Sequence, residues 1–255
     1  MKNADLITRE KAVSAPNYHP LPVVIERGQG VWLWDVEGKK YMDMMSGYSA
    51  VSHGHGHPRL LKTLKEQSQK ICLTSRAFPS VPMTDLLEKL CAISGFAKGL
   101  VMNTGAEAVE TAVKAARRWG YRVKGIPDNQ AEIIVCGGNF HGRTTTIISF
   151  STESDYKQEF GPLTPGFKTI PFGDASALEA SITPNTCAFI VEPFQGEAGI
   201  KFPPEGWMKA VKEICQRHNV LLIFDEVQVG HGQTGKLFAF QHEDIQPDGL
   251  ILGKA

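Results

Sequence analysis

No cysteine in this sequence has a partner at C-x-x-C spacing. Cys72, Cys91, Cys136, Cys187 and Cys215 are odd in number and scattered, which argues against a disulfide framework and for reduced thiols in a cytoplasmic compartment. Charge of one sign is lacking too. Lys plus Arg and Asp plus Glu stand at 27 each, so no net field draws the chain to nucleic acid or an anionic membrane. No apolar run approaches the roughly 20 residues of a membrane span, and the start MKNADLITREKAV lacks the apolar core of a signal peptide. Repeats, low-complexity tracts and linkers are missing as well. What remains is an ordinary globular composition, 42% hydrophobic and 21% charged over 255 residues, enough for a sizeable core.

From about residue 99, short apolar runs alternate with amphipathic helical patterns: GLVMN, then a helix; AEIIVCGG; KTIPF, then a helix; CAFIVEP, then a helix; NVLLIFDEV; GLILG. That rhythm predicts an α/β fold, a mostly parallel sheet with helices on both faces. Val109, Ala112, Val113 and Ala116 fall at helical spacing after NTG, and Trp207, Val211, Ile214 and Cys215 share one face of a second helix. GVWLWDVEGKKYMDM predicts a hairpin turning at Glu37-Gly38, followed by a helix starting near Pro58. The expected division is an N-terminal arm over residues 1–45 and a large domain over residues 46–255.

Two motifs invite nucleotide or metal readings and fail on context. GHGQTGK at 230–236 fits both GxGxxG and GxxxxGK, yet Leu237 stands where a P-loop needs Ser or Thr, and LFAFQHEDIQPDG does not predict a long helix. His53, His55 and His57 alternate with glycine ahead of Pro58, a loop pattern with no further ligands at zinc spacing; no metal is expected.

Four other pieces fall at the carboxyl ends of predicted strands, where a shared site forms in α/β sheets. NTGAE at 103–107 offers free backbone N–H groups at a helix start, suited to a phosphate, although Thr-Gly also serves simply as a cap. Asp225, closing the apolar LLIF, is a largely buried anion that needs a cationic partner, a protonated ring nitrogen or a structural arginine. In GNFHGR at 138–143, Phe140 offers a flat face and Arg143 a fork for a carboxylate, while Lys254 in GK carries an amine able to form a Schiff base. Each alone has a plainer use as core, surface pair or solvated end. Together they list what pyridoxal phosphate requires.

NYHPLP, LWDVEGKKY, SGYSAV, LTSRAF, NTGAEAVETA, GYRVKGI, GNFHGRT, VEPFQGEAGI and FDEVQ, in this order, resemble the class III pyridoxal-phosphate aminotransferases of fold type I, and among them those acting on ornithine. The resemblance implies a homodimer or higher homo-oligomer that transfers the δ-amino group of L-ornithine to 2-oxoglutarate, with acetylornithine or 4-aminobutyrate as alternative substrates. It implies that Lys254 holds the cofactor and shuttles a proton, and that Asp225 keeps the ring nitrogen protonated. Gly105 and Ala106 would bind phosphate, Phe140 and Val227 would take opposite ring faces, and Gln228 would reach the ring hydroxyl. On the substrate side it assigns Tyr18, Tyr48 and Arg143, with Glu197 pairing an arginine from a small carboxyl-terminal domain that this chain lacks.

Val229, His231 and Gln233 depart from that family's pattern in the loop after FDEVQ, and His141 bears on the choice between ornithine and acetylornithine. The family also continues beyond the lysine into a strand lying between the NTG and ILGK strands. Two expectations follow from the ending ILGKA: a portion of a longer enzyme, favoured because the site residues are intact, or a truncated, inactive fragment acting only through binding.

Overall fold

The computed structural model describes residues 2–254. Backbone proximity groups them into two compact units, one ending at Leu86 and one spanning Leu87–Lys254.

In the first unit, helix α1 (Asn3–Lys11) precedes a three-stranded antiparallel sheet of β1 (Ile25–Gln29), β2 (Trp32–Asp35) and β3 (Lys40–Met42). The hairpin between β2 and β3 turns where expected, with Gly38 at φ 83°. β1 was not foreseen, because IERGQ is mostly polar and exposed and is a strand only by virtue of its ladder with β2. A short turn, α2 (Ser46–Ser49), winds left-handed at all four residues, φ 52°, 58°, 56° and 68°. Three of these are not glycine, and each such residue costs about 1–2 kcal/mol. Asp43 holds the turn, accepting from the N–H groups of Met45 and Ser46 and from His55 Nε2 at 2.7 Å. Helix α3 (Pro58–Ser68) starts on proline, which has no N–H to leave unpaired at that position.

α4 (Val81–Ser94) leads toward the second unit, a five-stranded sheet in the order β5-β4-β6-β7-β8, with every neighbouring pair parallel. Its strands are β4 (Glu132–Cys136), β5 (Phe167–Ile170), β6 (Thr186–Val191), β7 (Leu221–Glu226) and β8 (Gly249–Leu252). Alternation sends successive side chains to opposite faces. Ile134, Cys136, Phe189, Val191, Leu222 and Phe224 pack with α7 (Ala175–Ser181) and α8 (Trp207–Arg217). Ile133, Val135, Ala188, Ile190, Ile223 and Ile251 pack with α5 (Gly105–Trp119) and α6 (Thr145–Ser149). Both expected helix stripes are buried there, Val109, Val113 and Ala116 on α5 and Trp207, Val211, Ile214 and Cys215 on α8. Each Val or Ile among them contributes about 1.5–3 kcal/mol by its burial.

One expected strand is absent. GLVMN has no ladder among the described residues, and Leu100 and Val101 are exposed. An apolar pattern marks a segment that can become a strand, but only a paired neighbour makes it one.

Candidate active site

The chain runs from β4 out to β5 and returns past β4 to β6, so the order reverses between β4 and β6, where α/β sheets open a crevice at their carboxyl ends. The loop after β4 carries Phe140, His141 and Arg143, and the loop after β6 carries Glu192 and Glu197. Asp225 lies near the end of β7, and Lys254 follows β8.

α5 begins beside them. Thr104 caps it by accepting from Glu107 N–H, and the Glu107 carboxylate in turn accepts from Asn103 N–H. Among the described residues nothing accepts from the N–H groups of Gly105 or Ala106, the usual condition of a helix's first turn. Val227 wedges these pieces together: a Cβ at Gly105 would sit 3.0 Å from its Cγ1, and one at Gly253 3.1 Å from the same atom. Gly142, at φ 124°, brings the loop after β4 against Ala106, which a Cβ there would meet at 2.9 Å.

Asp225 is 4% exposed. Its Oδ1 accepts from Val227 N–H at 3.0 Å and its Oδ2 lies 2.6 Å from Nδ1 of buried His141. Burial works against a charge on His141, but the bond to Asp225 and its negative charge prevail and raise the imidazole pKa above its ordinary value. Within the protein the group that meets Asp225 is thus His141, whose protonated form the pair favours.

Phe140 is half-buried, with Tyr156 edge-on to its ring at 6.3 Å. Arg143 is exposed, its guanidinium near both rings and 3.4 Å from the Tyr156 hydroxyl. Gln228 Nε2 donates to Glu197 at 3.1 Å. The amide of Gln228 also crosses Gly196 so closely that a Cβ there would lie 2.1 Å from Oε1. Lys254 is half-buried and left-handed at φ 46°. Gly105, Ala106, Val227, Gly253, Asp225 and His141 thus form one chain of contacts, joined at the carboxyl edge by Phe140, Gln228 and Glu197. Tyr18 and Tyr48 belong to the first unit, where their hydroxyls bond to each other and both side chains are about half exposed.

Two buried acids escaped the motif reading. Glu192 is 6% exposed and accepts from Phe140 N–H at 3.1 Å. Burial pushes its pKa up to about 7; Asp225 and Glu197 also raise it, while His141 and the Phe140 N–H pull it down. Glu226 is fully buried and accepts from Ala239 and Phe240 N–H at 2.7 and 2.9 Å, with its pKa likewise pushed to about 7 by burial. CAFIVE ends in an acid just as LLIFDE does; the signal that singled out Asp225 was equally present at Glu192.

The loop at 229–237 lies in turns, followed by a single 3-10 turn, Ala239–His242, where a P-loop requires a helix. His231 is left-handed at φ 54° and packs edge-on to Phe238.

Pyridoxal phosphate offers a phosphate, a basic ring nitrogen and an aldehyde. The residues fit it. Free N–H groups at a helix start suit the phosphate, a buried carboxylate suits the ring nitrogen, and an amine stands at the end of the strand next to that carboxylate.

Fold and site define a class: α/β proteins that gather helix amides, a buried acid and a lysine at the carboxyl edge of a parallel sheet. Residues 13–255 match the family model for aminotransferase class-III, and the chain belongs to that family. It is 56% identical over 250 residues to ornithine aminotransferase from Brevibacillus brevis, covering 98% of this chain and 63% of that one. Ornithine aminotransferase from Toxoplasma gondii, solved with partial occupancy of PLP at its active site, matches with TM-score 0.97 at 43% identity, covering 99% of this chain and 60% of that one. Acetylornithine aminotransferase from Elizabethkingia anophelis matches with TM-score 0.87 at 55% identity, covering 99% and 62%. The chain therefore spans about three fifths of the length of these relatives.

Proposed function

We propose that this chain is the cofactor-binding part of a pyridoxal-phosphate aminotransferase that moves the δ-amino group of L-ornithine to 2-oxoglutarate, giving glutamate 5-semialdehyde and glutamate. The observation that carries the reading is the parallel pairing of β7 with β8, which brings Asp225 near the end of β7 and Lys254 just after β8 to the same edge of the sheet, with Val227 packed against the start of α5. When bound, the cofactor supplies an aldehyde for amines and a ring that draws electron density.

The chain's residues supply the rest. Asp225, fixed by His141 and the Val227 N–H, would turn its carboxylate to the ring nitrogen and favour its protonated form. Gly105 and Ala106 give N–H donors and the positive helix end to the phosphate. Phe140 and Val227 would take the two ring faces, and Gln228 would reach the ring hydroxyl. The Lys254 amine would hold the cofactor and carry the proton. Arg143 receives a substrate carboxylate as a fork of donors, Tyr18 and Tyr48 serve the ornithine end, and Glu197 the 2-oxoglutarate step. A homodimer, a cytoplasmic location and a place in arginine and proline metabolism belong to the same reading.

A second substrate, N-acetylornithine, is favoured by one observation, the 55% identity to the Elizabethkingia enzyme named for it. Both readings are tested with the full-length protein that contains this chain, mixed with pyridoxal phosphate and followed by visible absorption before and after each amine. A cofactor band that bleaches fastest with L-ornithine supports the proposal. Equal or faster bleaching by N-acetylornithine, 4-aminobutyrate or lysine overturns the substrate, and no band overturns the cofactor.

A further inference from the structure

Glu192 stands one residue beyond Val191, which pairs with Phe224 across the β6–β7 ladder, so its lateral neighbour is Asp225. Ile190 and Ile223 face α5, and continuing the alternation sends Glu192 and Asp225 to that same side. The two acids hold consecutive residues of one loop: Glu192 Oε2 takes the Phe140 N–H at 3.1 Å, and Asp225 Oδ2 takes His141 Nδ1 at 2.6 Å.

A neutral side chain could accept one backbone N–H without the cost of burying a second carboxyl beside the first. A carboxyl there does more: it makes the loop's attachment depend on charge.

We infer that Glu192 is a positioning residue, which by gripping the Phe140 N–H beside Asp225 fixes the Phe140 ring over the cofactor and links that grip to pH. This rests on the reading of Phe140 and Asp225 as cofactor contacts. An ionised carboxylate accepts the N–H more strongly than the neutral acid. Glu192 exchanges its proton near neutrality, facing His141 from the loop after β4, Asp225 from β7 and Glu197 from its own loop, with Cys136 of β4 on the other face of the sheet. The Cys136 thiol, pushed up to about 12, stays neutral. The grip tightens as pH rises through about 7.

The test uses the full-length protein, with Glu192→Gln and Glu192→Ala variants, reading the dissociation constant for pyridoxal phosphate and the visible circular dichroism of the bound cofactor across about pH 6–9. Glu192→Ala is expected to weaken binding about tenfold, the worth of one hydrogen bond to a charged group, and to diminish the dichroic band. Glu192→Gln, which keeps an acceptor, restores affinity and the band but flattens their pH dependence around neutrality. Wild-type affinity and dichroism in Glu192→Ala, or an unchanged pH profile in Glu192→Gln, overturns the inference, and the second arm stands even where the alanine variant does not fold. A wild-type protein without a cofactor band overturns the underlying reading and this inference with it, a result distinct from both.

Discussion

Single side chains at the sheet edge do several jobs at once, and substitutions there separate them. Gly105→Ala places a methyl 3.0 Å from Val227 Cγ1, so either the valine or the helix start must shift. Overpacking of this kind costs about 1–3 kcal/mol. The expected outcome is a melting temperature lowered by a few degrees with a larger loss of cofactor affinity, measured by thermal unfolding beside a cofactor titration. Tyr18→Phe removes a hydroxyl that bonds to Tyr48. If that hydroxyl also meets the charged amine of ornithine, its loss raises KM for ornithine about ten- to a hundredfold while KM for glutamate changes little. Equal changes in both would place Tyr18 outside substrate choice.

Elements were legible where local pattern and tertiary pairing agree. AEIIVCGG, KTIPF, CAFIVEP, NVLLIFDEV and GLILG each contain a strand because short apolar runs of that length pair in a parallel sheet, the central ones buried on both faces and edge β5 partly exposed. The pattern misled where pairing decides: polar IERGQ gained a partner and became β1, and apolar GLVMN has none among the described residues. Of the site, the residues at strand ends could be found because position alone marks them. The Asp225–His141 bond and the Glu192–Phe140 bond could not, since each joins residues more than 50 apart in sequence. Glu226 belongs to this scale as well, for its two acceptors anchor the Ala239–His242 turn to the end of β7. Glu226→Ala orphans two buried N–H groups and is expected to cost about 2–5 kcal/mol. Glu226→Gln, which turns an NH2 toward one of them, should fall between. Denaturant unfolding of both variants checks the order.

Across the whole molecule these buried groups set how stability follows pH. Glu192 and Glu226 have pKa values raised from the ordinary 4.5 to about 7, so between those values the folded chain holds protons that the unfolded chain releases. Their contribution is complete below 4.5 and is lost as pH rises through about 7. His141, raised above 6.5 despite burial because Asp225 favours its cation, adds a loss in the same direction as pH rises. On the acid side, the His55 bond lowers the pKa of Asp43; for Glu132 burial opposes, but the Lys168 and Thr183 bonds lower it. Those contributions vanish as pH falls below the ordinary carboxylate range. The melting temperature is therefore expected to be higher near about pH 5.5 than near about pH 8. Scanning calorimetry across that range tests it, and a higher value at the alkaline end would contradict the assignment of raised acids.

Val227 gives the edge of the sheet a gauge. A Cβ added at the glycine that opens α5 would lie 3.0 Å from Val227 Cγ1, and one at Gly253, just past β8, 3.1 Å from the same atom, so one isopropyl group spaces the helix start from the segment that leads to the lysine. A larger residue at position 227 would widen the gauge and a smaller one narrow it, while also changing the contact that Val227 offers the ring. Cofactor analogues with lengthened or shortened phosphate arms could then be matched to the altered gap, making position 227 a dial for which cofactor the edge accepts.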